Sequence, residues 1–343
     1  MFRSNTARRP ALRWAVLATA TVLLAACGGG GTDGDSSKQG AGSSASGNSD
    51  KPTSILWVQP MRNHPVHRVM QAGFLAKCKE LNYMCDVVGN PSATTYDIPA
   101  SIPLAQAAIS TTKYGAVAVY GPDPAINSYM TQLAGKGYPI VTWHVLPDEG
   151  AIKGLKAAVG EDIPAAGANA AVALGEKMGG KGSAAVTEGS YNDTENTMLK
   201  AFTRTMSEKY PAIKVVGPSL EGFEPSQAAS KAVSVLQANP DVTAAFSTTG
   251  NGAQSWSQAA KQTNRKLDII GMDYIRQNLD LVKSGDVFGL VAQPLFEEGG
   301  KVAEVAAAMI KGEPAEYRNP LPAPVITKAD LDKYYRILDH AGV

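Results

Sequence analysis

Short apolar runs alternate with amphipathic stretches along most of the chain: apolar at 54–58, a helical pattern at 66–81, apolar at 83–88, helical at 98–110, apolar at 116–120. Within 66–81 the residues Val66, Met70, Phe74, Cys78 and Leu81 recur every three or four positions, which makes one apolar stripe on a helix. The same order resumes after Gly160, with strand candidates at 183–187, 213–216, 242–246, 267–272 and 287–292. A helix starting at a Ser226 cap is stopped by Asn239-Pro240, and one starting near Phe296 is stopped by Lys311-Gly312-Glu313-Pro314. Strands alternating with helices predict parallel sheets. About 290 such residues exceed one core, so the fold class expected is α/β with two doubly wound lobes. Ligands of open parallel sheets sit beyond the carboxyl ends of the strands, here Gln59, Gly121, His144, Gly189, 248–250 and Asp273.

The beginning of the chain breaks this pattern. Arg3, Arg8, Arg9 and Arg13 precede an apolar run at 14–26 too short to span a bilayer as a mature helix, the shape of an export signal. The run ends in Leu24-Ala25-Ala26-Cys27, which resembles the lipobox of bacterial lipoproteins. That resemblance implies removal of residues 1–26 and a diacylglycerol thioether on Cys27, with acylation of the palmitate kind, holding the protein on the extracytoplasmic face of a membrane. Residues 27–51 are Gly, Ser, Asp, Lys and Asn with almost nothing to bury, and read as a flexible tether.

A net charge of +1, with no basic run after the signal, gives no electrostatic footprint for nucleic acid. Cys78 and Cys85 read as a disulfide tying the end of one helix to the next strand, an exported chain favouring that use, with two buried thiols as the alternative. No Gly-x-Ser-x-Gly elbow, His-Glu-x-x-His or phosphate loop occurs, so catalysis has no motif to rest on; Glu188 with Asp193, or Glu221 with Glu224, read as loop charges before they read as a glycosidase pair. His64, His67 and His144 are three of the four histidines, and a His-x-x-His pair straddling a proline is read as hydrogen-bonding groups, with no metal and no cofactor expected.

From 52 to 340 the chain resembles the periplasmic binding proteins of the ribose-binding type, the sugar-capturing subunits of ABC importers. The motifs, in order, are Asn63-His64-Pro65, the run Tyr138-Pro139-Ile140-Val141-Thr142, Gly160-Glu161-Asp162, Asn239-Pro240-Asp241-Val242, Gly271-Met272-Asp273 and Ala292-Gln293-Pro294. The resemblance implies a first lobe of 52–159 plus 294–315, a second lobe of 160–293 plus 316–343, and three crossovers forming a hinge. It implies hinge closure on a small sugar or polyol and a permease as partner, and it places Phe223, Asp273 and Gln293 on ligand-contacting positions with the family's residue types kept. Elsewhere the types differ. The family's Asp-Arg pair is His144-Val145 here, its second-lobe arginine is Asn196, its later asparagine is Thr249, and its paired aromatics are Val66-His67. The arginine grip on hydroxyls is therefore missing, which bears on ligand identity. Trp143, Tyr191, Trp256 and Tyr274 are candidates for a stacking wall. A heterocycle such as a nucleoside, held between Trp143 and Tyr274, is the alternative ligand, and a sensory module in place of an importer subunit is the alternative role.

Overall fold

The computed structural model describes residues 53–343, so the signal, Cys27 and the tether lie outside the described residues. The chain builds two six-stranded sheets of the same design. The first contains β1 (Ser54–Gln59), β2 (Met84–Gly89), β3 (Ala116–Tyr120), β4 (Ile140–Trp143), β5 (Leu155–Glu161) and β11 (Arg318–Leu321), ordered β11-β5-β4-β3-β1-β2 and parallel throughout. The second contains β6 (Lys181–Glu188), β7 (Ala212–Leu220), β8 (Ala244–Ser247), β9 (Asp268–Met272), β10 (Gly289–Val291) and β12 (Val325–Ile326), ordered β12-β10-β9-β8-β6-β7. Only β12 runs antiparallel to its neighbour. β4 and β9 thus hold equivalent places in the two sheets.

The helices follow from the periodicities. In α1 (Pro65–Glu80) Val66, Met70, Phe74 and Cys78 are buried, as the stripe requires, and Pro65 opens the helix where a missing N–H costs nothing. α1 lies against α9 (Leu295–Lys311) so closely that a Cβ on Gly73 would meet the Phe296 carbonyl at 2.0 Å and one on Gly299 the Met70 carbonyl at 2.0 Å. Packing at that separation admits only glycine. The helix α6 (Pro225–Ala238) begins one residue before the expected Ser226 cap: Glu224 is its cap residue and Pro225 its first residue. The first core stacks Trp57 on Trp143 at 4.1 Å between centroids, and the second stacks Phe202 on Phe246 at 4.5 Å.

The chain passes between the sheets three times, after Glu161, over 292–294 and over 322–324. The last passage corrects the expected boundary. Residues 316–321 do not enter the second lobe, because β11 pairs with β5 through Arg318 to Leu321 and completes the first sheet. Cys78 and Cys85 are bonded, joining the last turn of α1 to β2 with their Cα atoms 6.2 Å apart.

Candidate functional site

Both sheets point the carboxyl ends of their strands at one cavity of about 60 Å³. From the first sheet it is lined by His64 and His67 at the start of α1, by Tyr96 in the loop after β2, by Tyr120 ending β3 and by His144 just past β4. From the second it is lined by Asn192, Thr194 and Glu195 at the start of α5 (Asp193–Lys209), by Phe223, by 248–250 beyond β8, and by Asp273 just past β9. Gln293, on the second passage, closes it.

His144 and Asp273 occupy matching positions at the ends of β4 and β9, and both adopt left-handed backbone, with φ of 75° and 69°. Non-glycine residues rarely do so; His and Asp are among those that tolerate it, and such bends concentrate where a side chain is aimed for use. Asp273 is 3 % exposed, its Oδ1 has no hydrogen-bond partner, and α8 (Arg276–Ser284) starts without a side-chain cap, so this carboxyl is not a helix cap. Its loop is held rigid by Asn278, whose side-chain amide donates to the carbonyls of Gly250 (2.9 Å), Met272 (2.9 Å) and Asp273 (3.2 Å). Burial, followed by the neighbouring Glu161 carboxylate, pushes Asp273 up to about 8.

Across the cavity the histidines are buried and largely unpartnered: neither ring nitrogen of His64, nor Nδ1 of His67, has a hydrogen-bond partner. Burial lowers His64 to about 4 and holds His67 well below its ordinary value, so both rings are neutral. His144 behaves differently. Burial works against its charge, but Glu298 Oε2 lies 3.7 Å from its Nδ1 and leaves it net above its ordinary value. Its ring stacks on Tyr120 at 5.3 Å. Tyr96 faces Phe223 across the cleft, with ring centroids 5.9 Å apart and planes at 26°.

A second layer fixes the lining. Glu195 accepts from the Gly189 N–H (2.5 Å), from Thr248 Oγ1 (2.8 Å) and from Asn192 Nδ2 (2.6 Å), while burial raises it to about 7. Glu221 accepts from Ser247 (2.6 Å) and Thr249 (2.7 Å). Gln293 Nε2 donates to Glu161 Oε1, and burial raises Glu161 to about 7. Among the described residues no group of three or more His, Cys, Asp or Glu is arranged to hold a metal ion.

Of the residues singled out in the sequence, Asp273, Gln293, Phe223, His64, His67, His144 and Thr249 meet at this cavity, whereas Trp143, Asn196 and the other stacking candidates do not. Trp143 is wholly buried against Trp57, because β4 directs it into the first core. Asn196 is exposed; the rotation of about 100° per residue along α5 turns it outward and sends Glu195 inward. The stacking wall dissolves for the same kind of reason. Trp256 is core and donates to Thr187 Oγ1 at 3.0 Å, Tyr274 is buried and donates to Glu297 at 2.9 Å, and Tyr191 is 74 % exposed. A heterocycle sandwiched by Trp143 and Tyr274 therefore has no place in this fold. Asp193 and Glu224 line no cavity with Glu188 or Glu221.

The periplasmic binding protein domain matches residues 55–314, about three quarters of the sequence and both lobes. The chain is a periplasmic binding protein. Among solved structures, this binding protein is similar in fold to a glucose-galactose binding protein from Geobacillus stearothermophilus (TM-score 0.75, 24 % identity, 82 % of this chain and 99 % of that one). It is similar also to a solute binding protein from Agrobacterium vitis bound with α-D-tagatopyranose (TM-score 0.77, 20 % identity, 83 % and 98 %). In sequence it is 28 % identical over 174 residues to a xylitol-binding protein of Mycolicibacterium smegmatis, covering 50 % of each chain. The chain thus spans half the length of that relative, and 44 % of a D-apiose import binding protein from Actinobacillus succinogenes to which it is 26 % identical.

Proposed function

We propose that this binding protein is the solute-capturing component of an ABC importer, handing a small sugar or polyol to a membrane permease, and that a lipid on Cys27 tethers it to the extracytoplasmic face of the membrane. One observation carries the reading: a cavity between two lobes gathers buried polar atoms from both, several of them unpartnered, with Asp273 Oδ1 on one side and the His64 and His67 rings on the other. A buried polar atom without a partner costs about 1–3 kcal/mol, and a hydroxyl-rich guest supplies the missing bonds. Neutral imidazoles each offer a donor and an acceptor, and a carboxylate accepts from vicinal hydroxyls. The lobes close over the guest and exclude analogues that leave a group unpaired. Relatives named for xylitol and D-apiose point to the same class.

A thermal-shift panel of sugars, polyols, nucleosides and amino acids tests this. A true ligand at ~100 times its Kd adds about 2.7 kcal/mol of stability. Asp273→Ala removes that response without lowering the ligand-free melting point. A response confined to amino acids or nucleosides would overturn the sugar or polyol assignment, and an unaltered response in the variant would remove Asp273 from the site.

A further inference from the structure

Acids dominate the buried ionisable groups of the described chain, with His144 the buried base raised toward a positive charge. Six acids are buried, Glu161, Glu188, Glu195, Glu221, Asp273 and Glu298, and among the described residues no lysine or arginine is. Glu195 and Asp273 line the cavity, while Glu161 and Glu298 stand directly behind the lining residues Gln293 and His144. Much of this charge is met locally. Glu195 and Glu221 have the hydrogen bonds described above, and Glu195 and Glu298 sit in the first turns of α5 and α9, where helix dipoles favour anions. His144 serves Glu298. His64 and His67 are held neutral and offer no counter-charge. Oxygens without a hydrogen-bond partner remain on Glu161, Glu188, Glu221, Glu298 and Asp273; of these residues only Asp273 lines the cavity, where His144 is the base that opposes it.

A second, independent feature points the same way. The cavity wall includes the rings of Tyr96, Tyr120 and Phe223, two of them from the first lobe and one from the second. Aromatic faces attract a cation, most strongly where water is excluded. An unpartnered carboxyl oxygen and three aromatic rings lining one cleft, in which no lysine or arginine is buried, make a receptor for a positive charge.

Building on the reading of this chain as a sugar or polyol binder, we propose that its guest is a polyhydroxylated amine, an amino sugar or amino polyol, whose ammonium group pairs with Asp273 while its hydroxyls meet the neutral histidines. The charge state of the cleft gives the idea a distinctive signature. Closing over a neutral polyol drives Asp273, Glu161 and Glu195 to take up protons, since burial raises all three toward neutrality. An ammonium group paired with Asp273 keeps that carboxyl ionised, so closure over it takes up fewer protons than closure over a neutral polyol.

Calorimetric titration near pH 7 in two buffers of different ionisation enthalpy reads both affinity and proton exchange. The probes are matched pairs: D-glucose and D-glucosamine, D-galactose and D-galactosamine, sorbitol and its terminal amine, xylitol and its terminal amine. For at least one pair the amine binds ~30-fold or more tightly than its hydroxyl counterpart, the span expected of a hydrogen bond to a charged group, and with less proton uptake. Asp273→Asn keeps the shape and erases the preference, so that amine and hydroxyl members of a pair bind that variant within ~3-fold of one another. A neutral member that binds as tightly as its amine or tighter, with proton uptake, overturns the inference and leaves sugar or polyol capture standing. Failure of every member of every pair to bind overturns both.

Discussion

Gly250 is the residue on which closure turns. A Cβ there would lie 2.7 Å from Val66 Cγ2 and 2.8 Å from Asp273 Oδ2, touching the opposite lobe and the site carboxyl together. Overpacking of this kind costs about 1–3 kcal/mol; the Val66 clash arises only when the lobes meet and so falls on the closed form, while the Asp273 contact lies within the second lobe and displaces the site carboxyl. Gly250→Ala should therefore weaken ligand affinity ~10-fold while leaving the ligand-free melting point close to wild type; equal affinity by calorimetry would contradict this. Residues of this type were legible in the sequence where they terminate strands. Asp273, His144 and Thr249 follow directly from the rule that parallel sheets bind beyond their carboxyl ends. Glu195 was not, because a carboxylate in a helix's first turn reads as a solvated charge until the direction of that turn is known. Tyr96 sits in the irregular segment between β2 and α2 (Ile102–Thr111), where no periodicity assigns a face.

At the level of elements, the Cys78–Cys85 bond closes a loop of a few residues between α1 and β2. Such a short loop is worth about 2 kcal/mol in chain entropy. The pair lies at the carboxyl end of α1, whereas His64 and His67 stand at its amino end. The double variant Cys78→Ala with Cys85→Ala should accordingly lose about 2 kcal/mol of unfolding stability in denaturant titrations and keep its ligand affinity. A loss of affinity would show that the brace reaches the site. The elements that periodicity located are those with a full apolar stripe or run, such as α1 and β1. β11 escaped because Arg318-Asn319-Pro320-Leu321 has neither alternation nor an apolar run, and its proline is tolerated only because the strand lies at an edge of its sheet. Tertiary pairing with β5, not local preference, makes it a strand.

For the whole molecule, the ionisable groups in the cleft couple closure to pH. Asp273 at about 8 and Glu161 and Glu195 at about 7 all lie above the usual carboxylate range, so each binds more protons closed than open. Their contribution to closure is complete below about pH 4 and is lost as pH rises through 7 to 8. His144, raised above its usual value, adds in the same sense. His64, at about 4, and His67 act oppositely, their contribution being present above about 6.5 and lost toward acid. Above about pH 6.5 the carboxyls and His144 act without that opposition. The ligand-free protein should open between about pH 6.5 and 8.5, read as a rising radius of gyration in solution scattering, and Asp273→Asn should flatten the rise; a constant radius in wild type would refute the coupling. The two-lobed plan itself was readable from the repeated strand and helix order. The closeness of the lobes was not, since it depends on pairs such as Tyr96 with Phe223 that lie far apart in sequence.

The matching bends at His144 and Asp273 have one more consequence. The duplicated frame provides a socket on each rim of the cleft, and each socket accepts a short polar side chain without rerouting the chain. One rim now holds an imidazole and the other a carboxylate. The electric field across the guest takes part of its direction from these two plugs, against the background of Glu161, Glu195 and Glu298, so exchanging them would shift its polarity on an unchanged scaffold.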